Sequence, residues 1–186
     1  MSCSGCEKRR QELAKLFRIH PYRYFHNPVY FINHKHKFIW PCITKNASHS
    51  IIEALPQTSW HRADKINGLN YFTFAVIRHP WERLLSYYHP AFWKDFKDFV
   101  KKAVLDKHNI LTLPQSSFLG NIKTDKLIKF DNLENEWPGI MDKTGAKILP
   151  HLNASELKKP WEVLDFDWDK LMPKYGKDFE LFNQVQ

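Results

Sequence analysis

The amino-acid sequence predicts an α/β domain with a short, mainly parallel β-sheet flanked by helices. Two segments carry this prediction, because each reads as an apolar strand, a polar loop and a helix in direct succession. The first segment covers residues 38–55 and the second covers residues 72–88. A further β-prone run at residues 127–130 supplies a third strand. Strands that alternate with helices in this way usually pair in parallel.

The composition of the whole chain is that of a folded domain with an anionic partner. The 186 residues are 43% hydrophobic and 15% aromatic, which is enough for a core and excludes a disordered chain. The net charge of +8 favours an anionic ligand, an anionic acceptor, nucleic acid or a membrane surface, and charge alone does not choose among them. We expect one domain at residues 21–186, preceded by a basic helical segment at residues 1–20.

Sorting signals and metal-binding motifs are not evident in the sequence. It shows no secretion signal and no run of about 20 apolar residues, and three cysteines are too few for a disulfide framework. These features favour a cytoplasmic protein. Cys3-x-x-Cys6 is half of a zinc motif without a second pair at the usual spacing, and His34 with His36 supplies only two ligands. We therefore expect no bound metal.

The first strand-loop-helix segment has the layout of a phosphate-binding cradle. Two β-prone runs, residues 29–32 and 37–43, predict a hairpin that leads into a polar loop at residues 44–50. Ile51, Ile52 and Leu55 then mark the buried face of a helix.

An anion at this loop would meet the unpaired N–H groups and the partial positive charge of a helix N-terminus. Lys45 and the hydroxyls of Ser48 and Ser50 suit that task. The loop contains no glycine and lacks the G-x-x-x-x-G-K-[ST] pattern, which disfavours an ATPase, although Ala47 is small and Asn46 tolerates a positive φ. The alternative is that Ser48 only caps a surface helix and Lys45 is solvated.

The second strand-loop-helix segment repeats this layout after a polar connector at residues 56–70. Residues 72–77 are apolar and β-prone, Pro80 suits the start of a helix, and an apolar stripe with helical spacing follows at Trp81, Leu84, Leu85 and Tyr88. Arg78 leaves the end of the strand, and Ser86 lies about two helical turns later. Both can address a further anion.

At these two segments the sequence resembles the sulfotransferases that use 3′-phosphoadenosine 5′-phosphosulfate (PAPS), in particular the Golgi carbohydrate group and its bacterial and viral relatives. The loop Lys45-Asn46-Ala47-Ser48-His49-Ser50 resembles the family's 5′-phosphosulfate loop, and the segment 78–86, RHPWERLLS, resembles its 3′-phosphate segment. Thr44 stands where the family usually has proline, and His49 where it has Thr or Ser. Later stretches, including PQSSFL at residues 114–119 and LPHLNAS at residues 149–155, extend the resemblance over residues 37–182.

This resemblance implies a three-layer, P-loop-like sulfotransferase domain that binds PAPS across the carboxyl ends of its strands. It implies that Lys45, Asn46, Ala47, Ser48, His49 and Ser50 hold the 5′-phosphosulfate and that Arg78 and Ser86 hold the 3′-phosphate. In such enzymes the base that deprotonates the acceptor is commonly a His or Glu in the connector, which makes His61 the first candidate. The loop at residues 149–155 lies near the nucleotide and acceptor cleft in the resembled proteins, which makes His151 the second. A surface histidine at position 61 and a turn around Asn153 are the alternatives.

Two further segments complete the predicted domain. Phe96, Phe99 and Val100, with Phe92 and Trp93, suit a buried helix face, although aromatic and lysine residues together can also stack on an acceptor sugar. Residues 175–182 predict a terminal helix that docks through Phe179 and Phe182.

The sequence therefore predicts an enzyme that moves a sulfuryl group from PAPS to a hydroxyl or amine of an acceptor, such as a glycan or a small molecule, without a metal. The alternative is a non-enzymatic basic module that binds phosphate groups or nucleic acid, for which affinity would depend steeply on salt. We disfavour nucleic acid as the partner, and the missing glycine-lysine loop disfavours a nucleotide kinase.

Overall fold

The computed structural model describes residues 28–61, 66, 68–88, 95–105, 110–151 and 167–185. Five strands in these residues form one sheet in the order β3-β1-β2-β4-β5. They are Tyr30–Asn33 (β1), Phe38–Pro41 (β2), Ser59–His61 (β3), Phe72–Ile77 (β4) and Lys126–Lys129 (β5).

The strand directions confirm the mainly parallel sheet. β2 pairs in parallel with β4, and β4 pairs in parallel with β5. β1 pairs antiparallel with both β2 and β3, so that β2, β3, β4 and β5 all point the same way. The β1–β2 hairpin is confirmed as well, with Tyr30 opposite Pro41 and Asn33 opposite Phe38.

Six α-helices in the described residues cover the sheet and its ends. They are Ser48–Ala54 (α1), Pro80–Leu85 (α2), Phe96–Phe99 (α3), Gln115–Leu119 (α4), Leu133–Thr144 (α5) and Met172–Gln184 (α6). A π-helical turn at Val100–Val104 continues α3, and short 3-10 turns lie at Ile110–Thr112, Phe130–Asn132 and Trp168–Leu171.

Apolar side chains on the two faces of the sheet produce three layers. On one face, Trp40, Phe74 and Val76 pack against Ile51 of α1 and Trp137 of α5. On the other face, the packing joins β4 and the end of β2 to α4 and α6 through the residues Ile43, Ala75, Ile77, Phe118, Leu119, Leu181 and Phe182. Since successive residues of a strand point to opposite faces, the alternation of Ala75 and Ile77 with Phe74 and Val76 builds both cores at once. The three-layer α/β fold is thus confirmed.

The helices after β4 pack as the apolar stripes predict. Leu84 and Leu85 of α2 are buried, and they share a cluster with Phe96, Phe99 and Val100, which are core residues. Phe179 and Phe182 of α6 each place a ring edge-on to the His79 ring, with centroids 5.3 and 5.4 Å apart. The terminal helix therefore docks directly beside Arg78.

Some predictions differ from the structure or lie outside its described part. The connector at residues 56–70 was read as a polar loop, but it contains the edge strand β3, whose three residues are too few to show a periodic pattern. The segment 1–20, both N-terminal cysteines, Phe92, Trp93 and Asn153 lie outside the described residues. None of the helices in the described ranges combines the length and the apolarity that a bilayer crossing demands.

Candidate functional site

The predicted phosphate loop lies between β2 and α1, at the edge of the sheet where the parallel strands end. Lys45 has φ 69° and Ala47 has φ 56°, so that two non-glycine residues adopt left-handed backbone conformations. Asn46, which is expected to tolerate a positive φ, does not adopt one, and both of its neighbours do. Ala47, not Ser48, occupies the N-cap position, and no side chain caps the helix. The alternative in which Ser48 serves as the cap is therefore wrong.

Asn46 ties this loop to the sheet and to α4. Its side chain is buried, and Nδ2 donates hydrogen bonds to the Val76 carbonyl oxygen at 2.8 Å and to Gln115 Oε1 at 2.7 Å. Oδ1 is buried too, and within the described residues it has no hydrogen-bond partner. Nδ2 thus anchors the loop, and only Oδ1 is available to accept a hydrogen bond from a ligand.

Three cationic side chains converge beside the loop. Burial lowers the pKa of Lys45, and the charges of Arg78 and Arg83 lower it further. Nζ of Lys45 lies 5.6 Å from the centre of the Tyr87 ring, and no carboxylate of the described residues lies within ion-pair distance of it. A half-buried ammonium crowded by two guanidinium groups creates a field that favours an anion.

Arg78 follows β4 directly, and its guanidinium is held in place from two sides. It lies over the Phe130 ring, 4.3 Å from the ring centre, and Nε is 3.6 Å from Glu82 Oε2, which is too long for a hydrogen bond. Burial lowers the pKa of Arg78, while the carboxylates of Glu82 and Asp131 oppose this effect. The guanidinium is therefore only partly compensated by acidic groups.

Arg83 is a buried residue of the candidate site that the sequence reasoning did not single out. Its side chain is 1% exposed and donates to the Thr44 carbonyl oxygen from Nε at 2.9 Å, to the Leu113 carbonyl oxygen from Nη1 at 2.7 Å and to Thr44 Oγ1 from Nη2 at 3.2 Å. All three acceptors are uncharged. Arg83 thus fixes Thr44, the residue that precedes Lys45. Its position in the segment RHPWER is the sequence feature from which its role in the site could have been predicted.

The remaining predicted donor-binding residues lie in the first turn of α1 and at the end of α2. Ser48 and Ser50 are buried in that first turn, whereas His49 is exposed. Ser86 is half-buried at the C-cap of α2, and Oγ donates to the Arg83 carbonyl oxygen at 2.7 Å. To donate to a phosphate, the Ser86 hydroxyl must therefore rotate away from that carbonyl.

The structure places the two candidate bases beside different elements. The backbone of His61 ends β3 opposite Tyr30, and Tyr30 also lies opposite Pro41 at the end of β2. The His61 backbone is thus at the same edge of the sheet as the end of β2, about 10 Å from Pro41 across two strand spacings. The His151 side chain is 77% exposed, with Nε2 3.2 Å from Glu134 Oε1 in the first turn of α5.

Within the described residues, no group of three or more His, Cys, Asp or Glu side chains is arranged to hold a metal ion. His34 instead contacts the Tyr71 hydroxyl through Nδ1 at 3.0 Å.

Comparison with known proteins adds one match. A family profile described as the sulfotransferase family matches residues 29–183, which covers both strand-loop-helix segments, α4 and all but the last residue of α6. No curated protein and no solved structure shows significant similarity to the chain.

Proposed function

The chain belongs to the sulfotransferase family, and on that premise we propose that it moves the sulfuryl group of PAPS to a hydroxyl or amine of an acceptor, such as a glycan or a small molecule. The observation that carries this proposal is the position of Lys45. Its ammonium lies beside Arg78 and Arg83 at the end of the parallel strands, where α/β sheets bind ligands, with no carboxylate partner in the described residues.

The cluster suits a donor that carries two separate anionic groups. The loop with Lys45 and the buried hydroxyls of Ser48 and Ser50 would hold the 5′-phosphosulfate. Arg78, with Ser86 at the end of α2, would hold the 3′-phosphate. Because Arg78 and Lys45 follow neighbouring strands, one nucleotide can reach both groups.

The proposed reaction forms a bond between the acceptor oxygen or nitrogen and sulfur and breaks the bond between sulfur and the bridging phosphate oxygen. The electron pair of the broken bond stays on the leaving phosphate, so that 3′,5′-ADP (PAP) is released and the acceptor proton passes to a base. A fixed cation at the leaving oxygen stabilises the charge that develops there. Lys45 would supply that cation without reorganisation, because Arg83 and Asn46 already anchor both sides of it.

We propose His61 as the group that takes the acceptor proton, because its backbone lies at the edge of the sheet where the loop begins. A neutral imidazole can accept a proton near neutral pH. His151 is the second candidate. Its side chain lies beside Glu134 in the first turn of α5, the helix that follows β5.

Incubation with sulfur-labelled PAPS and a panel of glycans, alcohols and amines tests the proposal. We expect label in at least one acceptor, one PAP released for each label transferred, and no transfer by the Lys45→Ala variant. Transfer at the same rate by that variant would contradict the assigned role of Lys45. Failure of every acceptor class with the wild-type protein would contradict the transferase itself.

A further inference from the structure

We propose that Gln115 is a positioning residue that sets the separation between the two anion-binding segments, and so determines selectivity for a nucleotide phosphorylated at both ends of its ribose. This inference rests on the proposed function. Gln115 is the first residue of α4 and is fully buried. Its side chain contacts both segments, although it lies 37 positions after Arg78 and 69 after Asn46.

The Gln115 amide pairs with the backbone of Arg78 in both directions. The Arg78 N–H donates to Oε1 at 2.9 Å, and Nε2 donates to the Arg78 carbonyl oxygen at 2.7 Å. This pairing continues the hydrogen bonding of a strand beyond the end of β4. The backbone that carries the Arg78 guanidinium is therefore fixed by a side chain instead of by a neighbouring strand.

The same oxygen also holds the phosphate loop. Gln115 Oε1 accepts a second hydrogen bond, from Asn46 Nδ2 at 2.7 Å. Asn46 lies between the two residues with positive φ, Lys45 and Ala47. The buried Oε1 of Gln115 thus links Asn46 to Arg78. Asn46 is next to Lys45, the proposed leaving-group cation, and Arg78 belongs to the proposed 3′-phosphate site.

Gln115 is itself held in place by Asp178 of α6. Asp178 Oδ2 accepts from the Gln115 N–H at 2.7 Å, and Oδ1 accepts from the N–H and the hydroxyl of Ser116 at 2.9 and 2.8 Å. The carboxylate is 1% exposed and lies near Arg83, whose pKa it raises against the effect of burial. A helix near the C-terminus thereby positions the link between the two segments.

Selectivity follows from holding two subsites at a constant distance. Once one phosphate is bound, the second contact is an intramolecular event whose strength depends on how well the second subsite is placed. A nucleotide with a single 5′-phosphate uses only the loop and gains nothing from this placement. Loosening the link should therefore weaken PAP binding and leave 5′-AMP binding nearly unchanged.

Calorimetry with PAP, 2′,5′-ADP and 5′-AMP tests this proposal on the wild type and on Gln115→Met, a variant of similar length that removes all three amide contacts. We expect the ratio of PAP affinity to 5′-AMP affinity to fall about tenfold or more, as the loss of one or two net hydrogen bonds would give. The ratio of PAP to 2′,5′-ADP should fall with it, and 5′-AMP affinity should stay within about twofold.

Ser116→Ala is the matched control, because it removes a hydrogen bond to the same Asp178 and leaves every Gln115 contact intact. It should lower the melting temperature without changing the affinity ratio. Asn46→Ala breaks the link from the other end, which keeps the test available if Gln115→Met folds poorly. The effects of Asn46→Ala and Gln115→Met on the ratio should not add, since both break the same connection.

The outcomes separate the two levels of the proposal. An unchanged affinity ratio in folded Gln115→Met and Asn46→Ala would overturn the role of Gln115, while the wild-type preference for PAP would leave the proposed function standing. A wild type that binds all three nucleotides equally would overturn the proposed function, and the role of Gln115 with it.

Discussion

Replacing Lys45 by methionine should raise the stability of the ligand-free protein while it removes activity. Methionine keeps an unbranched chain against the Tyr87 ring, with sulfur in place of Cδ, and removes the ammonium. That ammonium is half-buried, it is repelled by Arg78 and Arg83, and no carboxylate of the described residues pairs with it. Its lowered pKa means that the charged form is disfavoured in the folded state.

The sign of the effect follows from proton linkage. Because the pKa of Lys45 is lower in the folded protein than in the unfolded chain, the charged lysine destabilises the fold at neutral pH. Between the folded pKa of Lys45 and the ordinary pKa of lysine, the unfolded chain binds more protons than the folded protein. Stability therefore rises with pH across this window, and the destabilisation is lost. The methionine variant should therefore lose this part of the pH dependence.

The expected gain is about 1 kcal/mol, which corresponds to about 2–4 °C in melting temperature for a domain of this size. Turnover with PAPS should fall about 10²–10³-fold, the usual effect of removing one group that stabilises a developing oxyanion. PAP should still bind, since Arg78 and the buried serines remain. Lys143→Met on the exposed face of α5 is the control and should change neither quantity.

Thermal melts with and without PAP, followed by turnover at saturating PAPS, measure both effects. If Lys45→Met melts lower than the wild type and keeps near-normal turnover, then Lys45 is a structural residue and the reasoning from the cation cluster is refuted. Melting must be measured first, because an unfolded variant would imitate a catalytic defect.

Three further predictions address the neighbouring residues. Arg78→Ala should weaken PAP binding at least about tenfold in calorimetry, because the guanidinium is proposed to bind the 3′-phosphate. Turnover at saturating PAPS should fall much less. Equal PAP affinity in variant and wild type would show that Arg78 is not part of the donor site. His61→Ala should lose about 10²–10⁴ in turnover at unchanged PAP affinity, and wild-type turnover should fall as pH drops through the histidine range because a protonated imidazole accepts no proton. If only His151→Ala loses turnover, the base lies after α5. Ala47→Gly should stabilise the protein by about 0.5–1 kcal/mol in denaturant unfolding, because glycine adopts φ 56° without a Cβ penalty; a loss of stability would show that the Ala47 methyl group packs productively.

Local patterns in the sequence predicted the two segments that carry Lys45 and Arg78. The two strand-loop-helix segments were read from apolar runs followed by helical spacing, and the structure places them on neighbouring parallel strands, β2 and β4. The carboxyl ends of parallel strands meet at one edge of a sheet. Two local patterns that each end in a cation therefore suffice to predict that Lys45 and Arg78 lie at the same edge.

The buried polar connections could not be predicted in this way. Gln115 and Asp178 are separated by 63 positions. Gln115 lies in the stretch PQSSFL that extends the resemblance, but no local pattern indicates that either residue is buried or that the two contact each other. Arg83 is almost completely buried, although arginine is among the residue types least often buried. Such pairings depend on how helices from distant parts of the chain pack, which periodicity does not report.

The loop backbone is a second feature that the sequence does not predict. Asparagine tolerates positive φ better than most other non-glycine residues, yet Lys45 and Ala47 adopt it. The reason is that the Asn46 side chain is buried between Val76 and Gln115, and this anchoring forces the bends onto its neighbours. Tertiary contacts thus override the local preference at the residue that the proposed chemistry needs most.

The most direct test of the central claim is calorimetric comparison of PAP with 5′-AMP and ADP on the wild-type protein at two salt concentrations. The two-subsite arrangement of Lys45 and Arg78 predicts that PAP binds much more tightly than the other two nucleotides, and that this preference persists at the higher salt concentration. Equal affinities that all fall steeply with salt would contradict it, because that is the behaviour of a general anion-binding surface.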